Sequence, residues 1–77
     1  RKAKEVERLK QISPETQTVK YADILDNSQE IIPYDPHFAK VYLHEVKTIL
    51  KALDRGNPEL RRKAMTVVEE GLKQLSR

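Results

Sequence analysis

The chain has 77 residues, 38% hydrophobic and 35% charged, with 15 basic and 12 acidic side chains and no cysteine. That length gives one domain, or a piece of one, with a thin amphipathic core. A disulfide framework and a thiolate metal site are excluded, the formal net charge of +3 is mild, and no apolar run approaches the roughly 18 residues of a membrane span.

The first ten residues, "RKAKEVERLK", are basic but lead into no apolar core, so they do not read as a signal peptide. Ala3, Val6, Leu9 and Ile12 step by three and drift around the axis. They predict a helix over 1–11 with a weakly defined buried side. Ser13-Pro14 opens a second helix over 14–31. A serine cap accepts an orphan N–H, and proline at the first helical position lacks the N–H that would be orphaned anyway. Glu15 adds negative charge where the helix dipole favours it. "IPYDP" is expected to break this helix, because Pro33 disfavours the α region at Ile32.

Asp35-Pro36 opens a third helix over 36–53 by the same device. Its predicted core stripe is Phe38, Tyr42, Val46, Ile49 and Leu53, flanked by Ala39, Leu43 and Leu50, with Lys40, Lys47 and Lys51 opposite. Gly56 is placed to end it in the left-handed conformation that glycine adopts cheaply. Asn57-Pro58 opens a fourth helix over 58–76, with Leu60, Ala64, Val68, Leu72 and Leu75 on one side and Glu59 in the first turn. No segment alternates with period two long enough to argue for a strand. The expectation is all-α: about four helices in a small bundle-like unit over 1–77.

The stretch "QTVKYADILDN" departs from a plain amphipathic pattern. Asp23 and Asn27 are one turn apart and share a face. Thr16, Val19, Lys20 and Glu30 lie nearby. Tyr21, Ala22, Ile24, Leu25 and Ile31 make the rest of the circumference largely apolar, so this helix should be covered on most sides and keep one polar stripe open. A carboxylate there suits a hard or borderline cation, and an amide one turn on can orient it or bind a ligand. A solvated helix face explains the same pattern.

Elsewhere the chemistry is sparse. His37 and His44 share a face but stand two turns, about 10 Å, apart, too far to hold one ion. Phe38 and Tyr42 read as core rather than as a stacking platform. No nucleophile triad, phosphate-binding glycine loop or paired metal-binding histidines occurs. Glu5, Glu7, Glu59, Glu69 and Glu70 interrupt the basic stretches, which argues against nucleic-acid binding.

"SPETQTVKYADILDN" resembles the closing motif of the HD phosphohydrolase superfamily, most of all its branch related to the hydrolase domain of RelA/SpoT-type alarmone enzymes. There a helix reading approximately V-K-x-A-D-x-x-x-N supplies the last metal-ligating aspartate. Val19, Lys20, Ala22, Asp23 and Asn27 match it, and Tyr21 stands where leucine is frequent. The likeness extends from residue 1 to about 54. It implies that Asp23 ligates a divalent metal such as Mn²⁺ and that Asn27 and Lys20 line the substrate pocket. It also implies a cytoplasmic hydrolase acting on a nucleotide phosphoester or pyrophosphate.

The family also needs an upstream histidine and a His-Asp pair. This sequence has no His-Asp dipeptide, and both histidines follow Asp23. The resemblance therefore implies the C-terminal part of an HD-type domain, inactive as the isolated chain. Its partners would be the missing upstream helices, or a second copy through exposed apolar faces. The alternative expectation is a non-enzymatic helical interaction module, its last two helices forming a hairpin that binds a partner.

Overall fold

The computed structural model describes Lys4, Glu7, Arg8 and residues 10–76. The protein is all-α. Its helices are α1 (Pro14–Tyr34), α2 (Pro36–Ala52) and α3 (Pro58–Leu75), and each packs against the other two. The helix expected over 1–11 falls largely outside the described residues; Lys4, Glu7, Arg8 and Lys10 have helical backbone. Among the described residues, no helix is long and apolar enough to cross a membrane.

Each helix begins where its cap predicts. Thr16 N–H donates to Ser13 Oγ, Phe38 N–H to Asp35 Oδ1 and Leu60 N–H to Asn57 Oδ1, with proline next in all three. Caps of this kind contribute about 1 kcal/mol each. Each cap is local, needing only the first turn of its own helix.

The end of α1 differs from expectation. The helix continues through Pro33 to Tyr34 instead of stopping at 31. Pro33 lies in the last turn, so its missing N–H removes a single ladder bond. The N–H of the cap residue Asp35 still reaches Ile31 O at 2.9 Å. Ile32, the residue proline should push out of the α region, is half-buried and packs on the core. That packing outweighs the local preference.

The core is Tyr21 and Ile24 from α1, Leu43, Val46 and Leu50 from α2, Leu53 just after it, and Ala64 and Val68 from α3. Here too α2 differs from the sequence reading. Its buried stripe is Ala39, Leu43, Val46 and Leu50. Phe38 is exposed, and Tyr42 and Ile49 are only half-buried. The apolar sector of α2 is wider than its two neighbours can cover, and the aromatic edge is left out.

The turn between α2 and α3 is tied to the first half of α1 by polar contacts. The buried Tyr21 phenol donates to Leu53 O and accepts from Gly56 N–H at 3.1 Å. Thr18 Oγ1 accepts from Asn57 N–H at 2.8 Å, and Gln17 Oε1 from Arg55 N–H at 3.0 Å. Gln17 also donates through Nε2 to Ile12 O, which the Arg55 guanidinium reaches as well. Arg61 Nε donates to Leu50 O and Leu53 O, satisfying carbonyls at the end of α2.

Gly56 does not adopt the left-handed conformation expected of it, for no glycine has positive φ. It is needed for close approach. A Cβ there would lie 2.6 Å from a Tyr21 ring carbon and 2.9 Å from the Thr18 backbone nitrogen. Gly56→Ala is therefore expected to lower stability by about 1–3 kcal/mol through overpacking, read from urea denaturation. Tyr21→Phe should cost about 1–2 kcal/mol, since Gly56 N–H loses its acceptor while Leu53 O keeps Arg61. An unchanged denaturation midpoint in both variants would show that this tie carries no stability.

Candidate functional site

Periodicity within α1 places the candidate site. Gln17, Tyr21, Ile24 and Ser28 are buried. Ala22, Leu25 and Ile31 are half-buried, whereas Asp23, Asp26, Asn27 and Glu30 are exposed. Lys20 is half-buried at the edge of the open face. The stretch that departs from a plain amphipathic pattern thus packs its apolar side inward and presents Asp23 and Asn27 outward, with Lys20 one turn before Asp23.

Beside Asn27, α1 and α2 frame an open groove of about 690 Å³ lined by Asn27, Glu30, Ile31, Tyr34, Phe38 and Tyr42. Three of the six are aromatic. The Phe38 and Tyr42 rings have centroids 6.5 Å apart and planes inclined at 31°, within the range of favourable aromatic pairing. Phe38 is 51% exposed and Tyr34 is 88% exposed. Reading Phe38 as core is corrected, for it is exposed, whereas Tyr42 packs partly against the core and shares the groove wall with Phe38. The available sequence signal was the width of the α2 apolar sector, which exceeds what two packed neighbours can bury.

Tyr42 joins the groove to the polar face of α1. Its phenol is held above the ordinary value of 10.0. Burial disfavours the phenolate most. A side-chain hydrogen bond with Asn27 acts in the opposite direction, and the carboxylate of Asp23 raises the value further. Asp23, Asn27 and Tyr42 therefore form one electrostatic cluster across two helices. At neutral pH Tyr42 is a neutral hydroxyl beside a carboxylate and an amide, able to donate or accept a hydrogen bond.

The donor set at Asp23 fits one corner of a divalent-cation site and not a complete one. Among the described residues, no three histidine, aspartate or glutamate side chains come together to hold a metal. His37 and His44 are both exposed on α2.

The Tyr42 shift has a checkable sign. Its folded pKa lies above its unfolded one, so its contribution to stability is complete below pH 10.0 and is lost as pH rises through the folded value. Asp23→Asn is expected to bring the Tyr42 pKa part of the way back, followed by ring-carbon NMR titration. A Tyr42 titration identical in the variant would remove Asp23 from the cluster. Compared with family models, with curated proteins and with solved structures, the chain shows no match.

Proposed function

We propose that the chain is the C-terminal part of an HD-type, metal-dependent phosphohydrolase that acts on a nucleotide phosphoester or pyrophosphate. The observation that carries this reading is the joint placement of Lys20, Asp23 and Asn27 on the open face of α1, beside a groove walled by Tyr34, Phe38 and Tyr42. A helix that buried Asp23 in an ion pair, or turned it away from any concavity, would not suit this role.

Asp23 offers a hard, exposed oxygen ligand. A bound divalent metal would supply Lewis-acid polarisation of a phosphoryl oxygen and a water of lowered pKa. The remaining ligands would come from a segment outside this sequence, because one carboxylate does not hold Mn²⁺ or Fe²⁺ usefully. Asn27, one turn on, hydrogen-bonds Tyr42 and is placed to orient a ligand at the Asp23 end of the groove. Lys20 brings an ammonium to the same face and suits a phosphate oxygen as a point charge.

Hydrolysis tests the assignment in two parts. The 77-residue chain is expected to release neither phosphate nor pyrophosphate from nucleotides with Mn²⁺ present. The full gene product that contains it should release one of them in a metal-dependent way, and Asp23→Ala should lower that rate by about a hundredfold or more. Circular dichroism should remain helical, because Asp23 is exposed. A gene product without metal-dependent release, or turnover that survives Asp23→Ala, would overturn the reading.

A further inference from the structure

An exposed side chain on a helix turns among several rotamers, and a ligand that needs one of them bears the cost of fixing it. Asn27 is exposed on α1, where such freedom is expected, yet its carboxamide has a partner on another helix. It hydrogen-bonds the hydroxyl of Tyr42 on α2, and the two side chains line the same groove.

Tyr42 is held from its own side. It is half-buried and packs against the core, with the Phe38 ring centroid 6.5 Å away. A tyrosine has only two side-chain torsions to its ring, and this packing restrains both. The hydroxyl therefore stands at a set point across the groove from α1. It is also near enough to the Asp23 carboxylate to feel its charge. A phenol donates one hydrogen bond and can accept others, so contact with Asn27 leaves capacity toward the Asp23 end of the groove.

We infer that Tyr42 is a positioning residue: from α2 it holds the Asn27 carboxamide in one orientation, so that the amide is already set when a phosphate-bearing ligand reaches Asp23. The inference rests on the reading of Lys20, Asp23 and Asn27 as one ligand face. It divides the site between two helices. The groups that meet the ligand come from α1, and the orientation of one of them comes from α2. Preorganisation of this kind saves the ordering of a side chain on binding.

Tyr42→Phe removes the hydroxyl and keeps the ring, so helical circular dichroism and thermal unfolding should stay close to those of the parent chain. NMR relaxation of the Asn27 side-chain amide nitrogen in the 77-residue chain reads the first consequence. The amide should be ordered in the parent, and in Tyr42→Phe as mobile as that of the exposed Gln74. Equal order in parent and variant would overturn the inference. The gene product that contains the chain reads the second consequence, as Mn²⁺-dependent release of phosphate or pyrophosphate from nucleoside triphosphates. Tyr42→Phe and Asn27→Ala should each lower kcat/KM by about tenfold, and the double variant should be no slower than Asn27→Ala alone. Losses that multiply would also overturn the inference, because Tyr42 would then act on its own. A wholly inactive gene product would overturn the hydrolase reading instead, and the amide order would still decide whether Tyr42 holds Asn27.

Discussion

The buried hydroxyl of Tyr21 is the contact on which the rest of this small fold turns. A tyrosine with no exposed surface must satisfy its oxygen, or burial costs more than the ring contributes. It does so on the backbone between α2 and α3, meeting a carbonyl at the end of one helix and an N–H just before the next. One side chain of α1 thereby sets the position of the other two helices. It also sets the rotation of α1 itself. Two residues further along a helix is about 200° around the axis, so anchoring Tyr21 inward turns Asp23 outward. The orientation of the candidate site follows from a residue that is not part of it.

Stability in so thin a unit, with Cα extents of 35 × 29 × 16 Å, rests on polar ties as much as on apolar burial. Small domains bury a modest fraction of their surface. Arg55 and Arg61 use their guanidinium groups on backbone carbonyls rather than on acids, and these bonds close the ends of the helices. Ser28 is the counter-example. Its hydroxyl is fully buried and finds no hydrogen-bond partner among the described residues, so it adds a small cost inside the α1 interface. Exposed ion pairs such as Lys10–Glu7 add little, given side-chain entropy and solvent screening.

Local chemistry was legible in the sequence, and tertiary chemistry was not. Ser13, Asp35 and Asn57 could be read as caps because a cap needs only its own next turn. The inward and outward sides of α1 could be read from spacing, which placed Asp23 and Asn27 on an open face. The burial order within α2 could not be read. A stripe containing Phe38, Tyr42 and Ile49 is as apolar as one containing Leu43, Val46 and Leu50, and only the positions of α1 and α3 decide between them. Gly56 shows the same limit. Sequence marks it as a turn residue, but its reason is the Tyr21 ring and the Thr18 backbone standing where a Cβ would be. The coupling of Tyr42 to Asp23 and Asn27 crosses from one helix to another, beyond any local pattern.

Asp35 alone separates α1 from α2, closing the first helix with its N–H and opening the second with its carboxylate. With Pro33 before it and Pro36 after it, the corner has few torsions left to turn. The two walls of the groove are thus joined at one end like the arms of a stiff caliper. Because the single residue Asp35 serves both helices, an insertion or deletion here would refit the groove as a whole rather than lengthen a loop.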